Sequence, residues 1–250
     1  MSIEQSFDLA AFEAAYLNAD RPGRAGRPWV MTNFVVSPDG SAASEGRVGV
    51  LTDPLDQHLF TLLRSLADVI LVGAGTVRAE RYGPHNPSPD QRSARLERGQ
   101  PATAPLAVVT SSGDLDPGSA LFASPEQVTR VVTSASGADT AHARIGSSAE
   151  IIVAGDDEVD LVDAVEQLGA LGAAVVLCEG GPMLLGRLLS AGLVDEMCVT
   201  VSPQLLADPV RMLPSGSLPA AMHMTLARCQ EYRSHLFLRY LIDDPRVGRP

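Results

Sequence analysis

The 250-residue chain contains no lysine: its 19 basic side chains are all arginine, set against 30 acidic ones for a formal net charge of −11. This absence excludes a Schiff-base lysine, a pyridoxal-phosphate enzyme and the G-x-x-x-x-G-K-[ST] phosphate loop, each of which needs a primary amine. There is no basic run either, and an acidic balance without one argues against gripping nucleic acid by its phosphates or docking on anionic lipid. No stretch approaches the roughly 20 apolar residues of a membrane span. The longest segment free of charge, Met212 to Ala227, is broken by Pro214 and Pro219. The start, Met1-Ser2-Ile3-Glu4-Gln5, lacks the basic segment and apolar core of a secretory signal, so a cytoplasmic protein is expected. Cys178, Cys198 and Cys229 lie in apolar runs without C-x-x-C spacing, and the histidines are scattered without H-E-x-x-H, so neither a disulfide framework nor a metal site is expected. What remains, 45% apolar and 20% charged residues, is the composition of an ordinary globular protein with a substantial core.

Residues Asp8 to Asn18 space their apolar groups as a helix does (Leu9, Phe12, Tyr16), and the breaker-rich stretch Asp20 to Pro28 reads as a linker, which makes residues 1–28 an appendage. The main domain is expected over 29–242, with a tail at 243–250. It opens with a strand at Trp29 to Val36, closed by the turn Ser37-Pro38-Asp39-Gly40. A helix follows from Pro54 with Leu55, Leu59, Leu62, Leu63 and Leu66 on one side, then the apolar run Asp68 to Gly73, typical of a strand covered on both faces. Further strands are predicted at 106–110, 130–133, 150–153, 174–178 and 196–202, with 226–232 and 236–242 as an antiparallel hairpin. Helices are predicted at Asp160 to Leu171, capped by Asp160, and at Pro182 to Ala191, stopped by Gly192. The segment Arg81 to Pro105 reads as one long irregular loop, a lid or an insert. The alternation gives an α/β fold: a mixed, mostly parallel sheet with helices on both faces and an antiparallel C-terminal edge.

Two segments share one design, a strand running into a glycine turn and then a helix: Val69-Ile70-Leu71-Val72-Gly73-Ala74-Gly75-Thr76 and Val175-Val176-Leu177-Cys178-Glu179-Gly180-Gly181-Pro182. Glycines there let backbone N–H groups approach a ligand, and free amides at a helix N-terminus favour an anion such as a pyrophosphate. One such turn is equally well a cheap connection, whereas two point towards a nucleotide. Neither is a G-x-G-x-x-G with an acid about 20 residues on. Glu179, on the last position of an apolar strand, is placed either to accept hydrogen bonds from a ligand or simply to face solvent. Arg64 is either a bidentate phosphate holder or one of many surface arginines.

Val30-to-Gly40, Leu51-Thr52-Asp53, the stretch from Leu62-Leu63-Arg64 to Gly73-Ala74-Gly75-Thr76-Val77, and Glu179-Gly180-Gly181-Pro182 together resemble the pyrimidine reductase family of riboflavin biosynthesis. That family is the C-terminal half of the bifunctional deaminase-reductase and has the dihydrofolate reductase-like fold. The resemblance runs from Trp29 to Ile242, and the deaminase's zinc signature is absent, which implies a stand-alone reductase. It implies NADPH as cofactor, with Val35 bordering the nicotinamide, Gly75, Thr76 and Glu80 along one side, Ser111 near the adenosine, and Gly180, Gly181, Pro182, Met183 and Leu184 around the pyrophosphate. Arg64 would hold the 5′-phosphate of the small-molecule substrate, with Thr52 and Glu179 beside it, and Glu80 stands where the family places a catalytic acid. The implied reaction reduces a ribosylamino group of a pyrimidine phosphate to a ribitylamino group, in the 5-amino-6-(5-phosphoribosylamino)uracil reductase manner. A dihydrofolate or other pterin reductase, or a non-catalytic nucleotide-binding paralogue, would share the fold. Relatives often carry lysine after the Asp-Gly turn, where this chain has Ser41, and a homodimer is the family's habit.

Overall fold

A computed structural model describes residues 7–24, 26–44, 47–80 and 82–242. The expected tail at 243–250, the first six residues, and Ala25, Glu45, Gly46 and Arg81 lie outside the described residues. Nine strands form one sheet: β1 (Trp29–Val36), β2 (Val69–Gly73), β3 (Leu106–Val109), β4 (Thr129–Thr133), β5 (Glu150–Val153), β6 (Val175–Cys178), β7 (Glu196–Val201), β8 (Met224–Tyr232) and β9 (His235–Ile242). Their order is β5-β4-β3-β2-β6-β1-β7-β9-β8. The pairs from β5 to β7 are parallel, and β9 pairs antiparallel with β7 and β8, which is the edge hairpin predicted from the sequence.

Among the described residues seven α-helices accompany the sheet: α1 (Leu9–Leu17), α2 (Pro54–Leu66), α3 (Ala74–Ala79), α4 (Pro89–Glu97), α5 (Ala135–Ile145), α6 (Leu161–Ala170) and α7 (Pro182–Ser190). Side chains of α6 and α7 fill the core on one face, and those of α1, α2, α3 and α5 fill it on the other. Each fully buried leucine of α2 contributes roughly 1.5–3 kcal/mol. Its start is set by Asp53, whose carboxylate accepts from Asp56 N (2.8 Å), with Pro54 at the first helical position.

Two expectations are corrected. The N-terminal segment is no appendage: Phe12 and Tyr16 of α1 are fully buried against Phe237, and the breaker-rich stretch after them carries three arginines into ion pairs. Arg21 grips Glu196 at 2.9 and 3.0 Å, and Arg27 grips Asp195 at 2.7 and 2.9 Å, with Arg24 at 3.2 Å from Asp195. Burial alone would raise Glu196, but Arg239 and Arg21 hold its carboxyl below the usual range. The segment predicted as one irregular loop contains α4, opened by a reciprocal capping box between Ser88 and Gln91. From α4, Arg95 is buried with no exposed surface and donates to the carbonyls of Ala67 (2.7 Å), Ser65 (3.0 Å) and Arg64 (3.3 Å). It thereby satisfies the orphan carbonyls at the end of α2, and burial lowers its pKa to about 10.

Candidate functional site

The carboxyl ends of β1, β2 and β6 lie side by side, and in an open sheet of parallel strands this is where a crevice forms. Here it is a cleft of about 610 Å³ between α2, α3 and the start of α7. Val35 and Phe34 of β1, Thr52, Asp56, Phe60 and Arg64 around α2, Gly75, Thr76 and Glu80 of the β2 turn, and Glu179 with Gly181 to Leu184 of the β6 turn all line it.

The two glycine turns, separated by about a hundred residues in sequence, touch. Gly73 N donates to Gly180 O at 2.7 Å, and the Gly180–Gly181 peptide is cis. Gly180 has φ +95°, and a side chain there would press into the Phe34 ring at 3.0 Å. A Cβ on Gly181 would lie 2.7 Å from Thr76 Oγ1, whereas one on Gly75 would meet nothing within 4 Å. The turns therefore close against each other and leave open space beside Gly75. No side chain caps α7: Gly181 is its N-cap and Pro182, at the first position, has no N–H. The amides of Met183 and Leu184 fall among the N-terminal donors that a helix cannot satisfy itself. That is a cradle for an anion.

At the start of the same turn, Glu179 forms a two-point ion pair with Arg64, whose Nε and Nη2 each lie 2.7 Å from a carboxylate oxygen. Arg64 Nη2 also lies 2.7 Å from the Tyr82 hydroxyl, which in turn donates to Glu179, and the guanidinium stacks over Phe60 at 4.1 Å. Burial alone would lower the Arg64 pKa, yet Glu179 and Tyr82 beside it leave it raised. Burial and the Glu179 charge likewise hold Tyr82 well above the usual phenol range. The sequence suggests separate ligand-facing roles for Arg64 and Glu179, but each is the other's principal partner. Nη1 of Arg64 takes no part in these bonds.

Of the other expected residues, Glu80 forms the C-cap of α3 on the cleft wall. Ser111 lies beyond β3, outside this wall, where its carbonyl accepts from Ser134 Oγ at 3.2 Å. Ser41 does not face the cleft. It is fully buried, donates to Asp39 Oδ2 at 2.8 Å and accepts from Asp208 N at 3.1 Å, knotting the β1 turn to the segment after β7. Several cleft residues were missed, among them Asn33, Asp56, Gln57, Phe60 and Tyr82. Asp56 has a legible signal, since it is an acid flanked by Leu55 and Leu59 on the apolar side of α2. Among the described residues, no group of three or more His, Cys, Asp or Glu is arranged to hold a metal, and no helix is long and apolar enough to cross a membrane.

Residues 28–238 match the RibD C-terminal domain family. The 2,5-diamino-6-ribosylamino-4(3H)-pyrimidinone 5′-phosphate reductase of Archaeoglobus fulgidus is 31% identical over 178 residues, which are 71% of this chain and 81% of that one. The crystal structure of a pyrimidine reductase-like protein from Corynebacterium diphtheriae superposes with a TM-score of 0.78 at 24% identity, covering 96% of this chain and 97% of that one. A dihydrofolate reductase of Enterococcus faecalis, solved with NADP(H), reaches a TM-score of 0.52 at 11% identity over 86% and 97% of the two chains. The fold is dihydrofolate reductase-like, as the sequence resemblance implied.

Proposed function

The chain belongs to the RibD C-terminal domain family, and from that premise we propose that it is an oxidoreductase of riboflavin biosynthesis that uses NADPH to reduce a ribosylaminopyrimidine 5′-phosphate to its ribitylamino product. The observation that carries this reading is the cleft between the two touching glycine turns, open beside Gly75 and capped by an unfilled helix N-terminus. When bound, NADPH supplies a hydride. The amides of Met183 and Leu184 at the start of α7 would hold its pyrophosphate, with Gly180, Gly181 and Pro182 shaping the turn around it, and Thr76 and Gly75 would flank it across the cleft. Val35 would border the nicotinamide, and Ser111 would serve the adenosine end outside the main cavity. Glu80 is positioned on the same wall as an acid. The chain's contribution is chiefly to hold the sugar carbon C1′ against the hydride donor, since orientation accounts for much of such a barrier.

On the substrate side, Thr52 and the Arg64–Glu179–Tyr82 cluster line the cleft. Arg64 reaches a phosphate only through Nη1 or by exchanging Glu179 for it, so the cluster would act as a gate whose charge is already neutralised before the anion arrives. This matters in a chain of net charge −11, where an anionic ligand is held by local geometry against the field of the whole. A homodimer, covering the exposed Met224, Leu226 and Leu236 of the edge hairpin, and a cytoplasmic location complete the reading.

The test is turnover: purified protein with NADPH and each of the two ring forms, the aminouracil and the diaminopyrimidinone phosphate. Loss of NADPH absorbance with at least one of them is expected. NADPH binding with turnover of neither contradicts the reading.

A further inference from the structure

The cleft wall holds a buried ionisable group besides the Arg64–Glu179 pair. Asp56 occupies the third position of α2, and its side chain is almost wholly buried. Its Oδ2 accepts a hydrogen bond from the Thr52 hydroxyl, which accepts in turn from Gln57 Nε2 at 3.0 Å. That donor chain, Gln57 to Thr52 to Asp56, ends on Oδ2. The other oxygen, Oδ1, is buried and has no hydrogen-bond partner. Around the carboxyl stand Asp53 at the cap of the same helix, His235 of β9 and Thr200 of β7. Asn33 of β1 lines the same cleft, its Oδ1 also buried and unpartnered, and Arg64 is committed to Glu179. The β1–β7 register puts Asn33 and Thr200 on the same face of adjacent strands. Thr200 Oγ1 stands near enough to the carboxyl to lower its pKa as a hydrogen-bond donor does, but outside the geometry of a full hydrogen bond.

An ionised carboxylate with one bare, buried oxygen is costly, whereas a neutral carboxyl is not. Burial accordingly pushes Asp56 above the usual carboxylate range. The Thr52 and Thr200 hydroxyls pull it down, the Asp53 charge pushes it up and His235 pulls it down, and the net shift is upward. Because Oδ2 is occupied as an acceptor, the proton of the neutral form belongs on Oδ1, the oxygen with no partner inside the protein.

We propose that Asp56 is the proton donor of the reduction, with Thr52 and Gln57 as the residues that position it. This rests on the reductase reading above. In the ring-opened imine, hydride from the nicotinamide adds to C1′ and the C1′=N π pair moves to nitrogen. That nitrogen takes the proton from Asp56 Oδ1, leaving a secondary amine, an oxidised nicotinamide and the Asp56 carboxylate. Solvent then restores the proton. One hydride and one proton are consumed per turnover, and no further reactant is needed.

The test compares wild type, Asp56→Asn and Thr52→Val by kcat and KM across pH with NADPH and the turned-over ring form, and by the infrared band of a protonated carboxyl followed across pH in the ligand-free protein. Asp56→Asn is expected to lower kcat by about 100-fold or more while leaving KM within a few fold, the usual scale for a lost general acid. Wild-type kcat should fall as pH rises through the Asp56 pKa, and Asp56→Asn should lack that limb and the infrared band. Thr52→Val removes a bond that stabilises the ionised form, so its limb should move to higher pH. A wild type that turns over normally while Asp56→Asn keeps its kcat and its pH limb overturns the assignment and leaves the reductase reading standing. A wild type with no carboxyl band that titrates above the usual carboxylate range also overturns it. A wild type that reduces neither ring form removes the reading and this assignment together.

Discussion

Arg64 and Glu179, 115 residues apart in the chain, meet at 2.7 Å through both Nε and Nη2, and so tie α2 to the end of β6 across the floor of the cleft. The side chains are only 13% and 3% exposed, so removing one partner leaves a charge without compensation. Arg64→Met is expected to cost about 3–5 kcal/mol, and Arg64→Met with Glu179→Leu to recover most of it, because a buried pair is stabilising mainly relative to its broken halves. Urea unfolding of the two singles and the double measures this. Additive losses in the double would contradict it.

The N-terminal arginines should behave differently from one another. Glu196 has two arginine partners, Arg21 at 2.9 Å and Arg239 at 2.7 Å, besides the Trp29 indole at 3.1 Å, so Arg21→Met leaves one arginine in place and is expected to cost less than Glu196→Leu, which strands both guanidinium groups. Deleting residues 1–28 removes Phe12 and Tyr16 from the core together with every arginine that reaches Asp195, and should give an unstable or insoluble chain. A truncated protein with an unchanged thermal midpoint would show that the segment is the appendage its sequence suggests.

Acid should weaken the fold through His85. Burial lowers its pKa from 6.5 to about 3, helped by Arg64, Arg95 and Arg92, and its neutral Nδ1 accepts from Ala104 N at 3.0 Å. The folded pKa lies below the unfolded one, so between these two values the unfolded chain binds the extra proton. Stability is then complete above pH 6.5 and declines as pH falls towards 3. His85→Gln, which can still accept the Ala104 bond, should flatten that decline by about one proton in the slope of unfolding free energy against pH. An unchanged slope would assign the acid sensitivity to the carboxylates alone.

The touching turns give a steric prediction. Gly181→Ala places a methyl 2.7 Å from Thr76 Oγ1 and in the cofactor's proposed path, and should weaken NADPH binding at least about tenfold, near 1.4 kcal/mol. Adding Thr76→Ala relieves the clash between the turns but leaves the methyl in the cradle. Full recovery of NADPH affinity in that double variant, measured by calorimetry, would mean the methyl acts only through the clash and does not occupy cofactor space.

The strands were legible because most are covered on both faces and read as apolar runs, and α2, α6 and α7 because each carries a cap or a proline at its start. The helix α5, with the sequence ASGADTAHARI, has small residues where a leucine stripe would announce it, and α4 is hidden among prolines, serines and arginines. Its anchors are Arg95 and, at its C-cap, Arg98, reaching carbonyls some thirty residues away, which no local pattern encodes. The glycine turns and Arg64 were visible as candidates, but the pairing of Arg64 with Glu179 arises only when β6 and α2 come together, and the surroundings of Asp56 only when α2 meets β7 and β9.

The most direct test of the central claim follows the hydrogen. NADPH stereospecifically deuterated at C4 of the nicotinamide, incubated with the enzyme and the ribosylaminopyrimidine phosphate, should deliver its deuterium to C1′ of a ribitylamino product, one label per NADPH consumed. A product with no deuterium at C1′, or NADPH oxidised without loss of the ribosylamino substrate, would contradict the account.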